Sequence, residues 1–95
     1  MGNYQKEVKF VIYKIEFSKP AEKQLSDLPK TELMKIKKRI EKLAADPFPP
    51  KCEKMEGKED IYRVRQGDYR ILYSVFDKKL IVLILKIGNR REVYK

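Results

Sequence analysis

Residues 61–76 read Ile61-Tyr62-Arg63-Val64-Arg65-Gln66-Gly67-Asp68-Tyr69-Arg70-Ile71-Leu72-Tyr73-Ser74-Val75-Phe76, two alternating runs on either side of a Gly-Asp pair. Such a pair between alternating runs marks a two-residue hairpin turn. With Gly67-Asp68 as the turn, Gln66 opposes Tyr69, Arg65 opposes Arg70, Val64 opposes Ile71 and Tyr62 opposes Tyr73. Side chains alternate across a sheet, so Tyr62, Val64, Ile71 and Tyr73 share one face, while Arg63, Arg65, Arg70 and Leu72 share the other. The first face is core. The second sets like charges directly across a strand pair, which destabilises by a few tenths of a kcal/mol up to about 1.

A sequence shaped for stability alone would not choose that second face. The basic residues between positions 63 and 70 are all arginine, whereas the segment before Pro47 holds mostly lysine. Arginine's planar fork donates two parallel hydrogen bonds to phosphate oxygens, a geometry that the lysine ammonium lacks. The pattern therefore points to a phosphate-binding face. The competing reading is that Glu53, Glu56, Glu59 or Asp60 neutralises these arginines as ordinary surface ion pairs, which contribute little individually.

Downstream of the hairpin, Asp77-Lys78-Lys79 is a short turn into Leu80–Ile87, apolar on both faces until Lys86, which suits a central and doubly buried strand. Upstream, Asp46-Pro47-Phe48-Pro49-Pro50 stops a helix, because proline lacks the amide hydrogen and disfavours helix in the residue before it. The loop from there runs to about Asp60. The helix it ends carries Leu33, Ile36, Ile40 and Leu43 as one apolar stripe, with Lys35, Lys37, Lys38, Arg39 and Lys42 elsewhere on its surface. A shorter helix before it starts at Ser18 and Pro20, carries Ala21, Leu25 and Leu28 on one side, and ends at Leu28-Pro29. Phe10 to Phe17 alternates as a first strand, with Val11, Tyr13, Ile15 and Phe17 on one face.

The expected fold is α+β: an N-terminal strand, a helical hairpin, then a three-stranded antiparallel meander, with the helices packed on one face of the sheet. Residues 1–8 are polar and aperiodic and read as a loose leader, leaving 9–95 as a single domain. A chain of 95 residues holds one core and no more.

Charged residues make up 39% of the chain and give a formal +9, so the implied partner is a polyanion, nucleic acid or an acidic protein. Cys52 is the only cysteine, which excludes an internal disulfide and suits a reducing cytoplasm. The longest apolar run, Leu80–Leu85, falls far short of the roughly 20 residues of a membrane span, and the N-terminus is charged where a signal peptide would be apolar. After the last strand comes Gly88-Asn89-Arg90-Arg91-Glu92-Val93-Tyr94-Lys95, a tail that either frays or folds back beside the hairpin.

The stretch from Tyr62 to Tyr73, followed by Ile87-Gly88-Asn89-Arg90-Arg91-Glu92-Val93-Tyr94, resembles the RelE/ParE toxin superfamily, its RelE branch in particular. The resemblance implies a toxin of a toxin–antitoxin pair that enters the ribosomal A site and cleaves mRNA there. It would need no metal or cofactor, use the ribose 2′-hydroxyl as nucleophile, and be held inactive by a RelB-like antitoxin. It assigns catalytic roles to Arg65, Arg70, Arg90 and Tyr94, and substrate binding to Arg63, Lys54 and Arg91.

The best-known bacterial RelE members carry lysine where this chain has Arg63 and Arg65. Arginine is never deprotonated at neutral pH, so these positions can hold charge but cannot act as bases. The chain has no histidine, which leaves Tyr94 as the candidate base, its hydroxyl acidified by surrounding guanidinium groups. Arg90 would brace the phosphate or assist the leaving oxygen. Two other readings remain open: a ParE-like inhibitor of DNA gyrase, and a non-catalytic nucleic-acid-binding module.

Overall fold

The computed structural model describes residues 12–57 and 60–89. The expected leader, Phe10, Val11 and Glu59, together with Arg90, Arg91 and Tyr94, lie outside the described residues. The elements are β1 (Lys14–Phe17), α1 (Lys19–Ser26), α2 (Lys30–Ala45), β2 (Glu53–Lys54), β3 (Tyr62–Gln66), β4 (Tyr69–Phe76) and β5 (Ile81–Asn89). They build one mixed sheet in the order β1-β5-β4-β3-β2, with β1 parallel to β5 and every other pair antiparallel.

The expected α+β arrangement is present, with one strand more than the sequence suggested. Two residues of the presumed loop, Glu53 and Lys54, pair with Arg63 and Tyr62 and extend the sheet beyond β3. A two-residue strand carries no alternation to read, so its only signature is the partner it finds.

Both helices lie on the face formed by Val64, Ile71, Tyr73, Val82, Ile84 and Ile87, and bury Ala21, Ile36, Ile40 and Leu43 against it. Tyr13 and, in β1, Ile15 and Phe17, together with Leu25 of α1 and Leu28 just after it, pack around its edges. Gly67 has a φ of +63° and takes the first central position of the hairpin, where a Cβ would be strained. The observed register matches the one that turn requires at all five pairs, from Gln66↔Tyr69 to Tyr62↔Tyr73.

The last strand departs from its expected form in two ways. The turn before it spans four residues, Asp77 to Leu80, with Leu80 in a left-handed conformation at φ +53°, so the strand starts at Ile81. Leu72 pairs with Lys86 and Tyr73 with Ile84, so Leu85 is an extra residue in β5. This bulge inverts the alternation: Val82 and Ile84 face the helices before it, and Ile87, not Lys86, faces them after it. Without the bulge a lysine would enter the core. The strand is therefore central but fully buried on one face only, since Leu83 and Leu85 are half-buried.

The first helix is fastened at this bulge. Ser18 accepts a hydrogen bond from the Ala21 N–H at 3.1 Å as the N-cap, and its own hydroxyl donates to the Leu85 carbonyl at 2.8 Å. The Ser18 N–H donates to the Ile84 carbonyl at 2.9 Å, and Gln24 Oε1 accepts from the Ile87 N–H at 2.7 Å. Where α1 crosses the bulge it thus satisfies the Ile84 and Leu85 carbonyls and the Ile87 amide.

Among the described residues no helix is long and apolar enough to cross a membrane.

Candidate nucleic-acid interface

Since Val64, Ile71 and Tyr73 face the helices, strand alternation turns Arg63, Arg65 and Arg70 to the opposite side. Arg65 of β3 lies directly opposite Arg70 of β4, and on the far flank Arg70 pairs with Gly88 of β5, which offers no side chain. The three arginines differ sharply in burial. Arg65 is exposed, Arg63 is half-buried, and Arg70 is only 5% exposed. Leu72, on the same face, is buried as well. Arg70 is thus a buried charge at the floor of the face and Arg65 an exposed one at its rim.

Glu53 supplies the counter-charge. It lies opposite Arg63 in the register, and both Nε and Nη2 of Arg63 donate to its Oε1, the former at 3.0 Å. The bond and charge of Arg63 hold the Glu53 carboxyl below the usual carboxylate range, with Arg65 and Arg70 adding to the effect. The surface-ion-pair reading therefore applies to Arg63. Three guanidinium groups crowd this face, with Glu53 paired to Arg63 among the described residues.

Of the sequence-derived site residues, the structure brings together Arg63, Arg65 and Arg70. Lys54 is not with them: it pairs with Tyr62, and alternation puts it on the helix side of the sheet edge. Arg90, Arg91 and Tyr94 follow Asn89, the last described residue, which pairs with Tyr69 beside Arg70.

Two other tyrosines, Tyr73 and Tyr13, are held protonated. Tyr73 donates its hydroxyl to the Pro47 carbonyl at 2.7 Å, and burial above all, with Cys52 next, pushes it far above the ordinary tyrosine value. Tyr13 donates to Asp77 Oδ1 at 2.6 Å and is raised by that bond. The face can bind and stabilise negative charge. Glu53, held acidic, is a weak base.

One residue was misplaced by the helix pattern. Arg39, read as lying away from the apolar stripe of α2, sits three residues after Ile36 and four before Leu43, on the half-buried flank of that stripe. Its Nε is shielded from solvent without a hydrogen-bond partner. With Pro50, Lys51, Cys52, Glu53 and Arg65 it lines a cleft of about 380 Å³ at the sheet edge. The readable signal was that spacing, together with arginine in a helix otherwise rich in lysine.

Among the described residues, no group of three His, Cys, Asp or Glu side chains is arranged to hold a metal ion.

This chain is similar to known proteins along nearly all of its length. Residues 15–94 match the family described as the ParE toxin of type II toxin–antitoxin systems, parDE. The RelE1 relative from Methanocaldococcus jannaschii is 36% identical over 86 residues, covering 87% of this chain and 96% of that one. The mRNA interferase toxin RelE of Escherichia coli is 30% identical, covering 86% and 90%. Among solved structures, the archaeal RelE–RelB complex from Pyrococcus horikoshii superposes with a TM-score of 0.73 at 34% identity, covering 83% of this chain and 96% of that one.

Proposed function

The chain belongs to the ParE toxin family of type II toxin–antitoxin systems, on its RelE side, and from that membership we propose that it is a toxin that cuts mRNA in the ribosomal A site. The observation that carries the reading is the cross-strand pair of Arg65 and Arg70, one exposed and one buried, on the face that also holds Arg63. A relative named for mRNA interferase activity supports it, as does a relative solved with RelB.

In this mechanism the 2′-oxygen of the nucleotide attacks the adjacent phosphorus and the 5′-oxygen of the next nucleotide leaves, giving a 2′,3′-cyclic phosphate and a 5′-hydroxyl. Arg70 and Arg65 donate to the non-bridging oxygens as their charge grows, so that guanidinium groups replace a metal ion as the stabilising charge. Arg63 and Arg91 orient the strand. Tyr94 takes the 2′-proton, Arg90 braces the leaving side, and the departing 5′-oxygen takes its proton from water. Much of the rate comes from holding the 2′-oxygen in line, a geometry that the ribosome imposes on the codon. A RelB-like antitoxin neutralises the toxin, and the site of action is the cytoplasm, where ribosomes translate.

The test is primer extension on mRNA from cells in which expression is switched on: cuts inside translated codons are expected, and they should vanish when translation initiation is blocked. The family's ParE description favours a second reading, inhibition of DNA gyrase. Gyrase trapped on cleaved DNA, with intact mRNA, would establish that reading instead.

A further inference from the structure

The cleft at the sheet edge lies outside the face described above but shares Arg65 and Glu53 with it. We propose that it is a second phosphate subsite, in which Arg39 and Lys51 hold the backbone phosphate next along the RNA strand from the one at Arg65 and Arg70. This rests on the nuclease reading, whose substrate strand it extends.

Three observations carry it. Strand β2 begins at Glu53, so the β3 edge at Arg65 faces the cleft without a pairing strand, and the loop through Pro50, Lys51 and Cys52 forms its other wall. Arg39, Lys51 and Arg65 contribute three positive charges to the lining, while its one carboxylate, Glu53, is already paired with Arg63. Finally, Arg39 places its guanidinium beside the core with a buried Nε that no acceptor meets. A buried, unpaired donor lowers stability. A phosphate oxygen in the cleft meets the part of Arg39 that lines it, not the sealed Nε.

The volume, about 380 Å³, falls in the roughly 300–1,000 Å³ range of small-ligand sites. The occupant is a phosphodiester because the cleft opens onto the arginine face through Arg65. A strand held at Arg65 and Arg70 therefore passes its next sugar–phosphate unit along Lys51 and Arg39.

The experiment measures anisotropy of a fluorescein-labelled five-nucleotide single strand with 2′-deoxyribose throughout, so that it cannot be cut. It is titrated over a range of salt with wild type, Arg39→Leu and Arg39→Lys. Arg39→Leu should weaken binding about 3- to 10-fold and flatten the log affinity against log salt by about 0.7, the value of one lost phosphate contact on a single strand. Arg39→Lys should restore the slope. A neutral methylphosphonate at one internal linkage should weaken wild type equally and Arg39→Leu no further, the sign of a shared contact. Arg39→Leu should also be at least as stable as wild type in urea, which separates a binding role from a packing role.

Unchanged affinity and slope in Arg39→Leu, or losses that simply add, overturn the subsite while leaving cutting on the ribosome untouched. Loss of antitoxin binding alone in Arg39→Leu overturns it too, assigning the cleft to a protein carboxylate. Wild type that binds no strand removes the subsite as well, and the nuclease reading then stands or falls on the primer-extension result.

Discussion

Arg65 and Arg70 face each other across adjacent strands, yet one is open to solvent and the other is 5% exposed. Like charges directly opposed on a sheet cost stability, and an anionic ligand offsets that cost. Arg65→Thr should therefore raise the unfolding free energy by a few tenths of a kcal/mol up to about 1, read as a higher urea midpoint at constant slope. It should slow cutting roughly 10- to 100-fold, since a charged hydrogen bond contributes about 1.5–3 kcal/mol. Arg70→Ala, which removes the buried donor, should slow it by about 10²- to 10³-fold. Circular dichroism on each variant would show that the fold persists.

Glu53 predicts the pH response. Its carboxyl is held below the ordinary value of 4.5, so the unfolded chain binds the proton first as pH falls. The stability Glu53 contributes is complete above that value and disappears as pH drops through the lowered folded value. Wild type should exceed Glu53→Gln in urea stability at pH 6–7, with the difference shrinking to nothing in the acid range below 4.5. At neutral pH, Glu53→Gln should bind single-stranded RNA more tightly, because it removes a negative charge from the arginine face.

Tyr73 is a structural tyrosine despite its position in the hairpin. It is fully buried, its hydroxyl donates to the Pro47 carbonyl, and its ring lies 5.9 Å from that of Tyr62. Tyr73→Phe keeps the ring and strands the carbonyl, which should cost about 1–3 kcal/mol. Cutting measured well below the melting transition should be unchanged, and a loss of cutting would place Tyr73 in the chemistry.

Ser18 joins the start of α1 to the β5 bulge. Ser18→Ala removes both the cap and the bond to the Leu85 carbonyl, and should cost about 1–2 kcal/mol, at the upper end for a lost cap. Amide exchange at Ala21 should accelerate along with the loss.

What could be read in advance, and what could not, follows from the range of each interaction. The Gly67-Asp68 turn fixes its register locally, so the arginine face was legible down to individual pairs. The α2 stripe was legible at Ile36, Ile40 and Leu43, because helical periodicity also acts over a few residues. The bulge at Leu85 was hidden in a run that is apolar on both faces, where a shift of one residue changes no local pattern and only the neighbouring strand and Ser18 reveal it. Glu53 and Lys54 looked alike as loop charges, and pairing with β3 alone sends the first to the arginine face and the second away from it. Arg39 was grouped with the lysines by its charge, although its spacing from Ile36 and Leu43 already set it on the buried side.

The central claim is that this arrangement of arginines cuts mRNA on the ribosome. The most direct measurement uses purified ribosomes holding an mRNA with a defined A-site codon, with the purified chain added and the RNA ends mapped. A cut within that codon is expected, with a 2′,3′-cyclic phosphate on the upstream fragment. It should be lost when the attacked nucleotide carries 2′-deoxyribose, and be slowed at least 100-fold by Arg70→Ala. Cutting that persists through the 2′-deoxy substitution, or no cutting while wild-type protein still arrests growth, would contradict it.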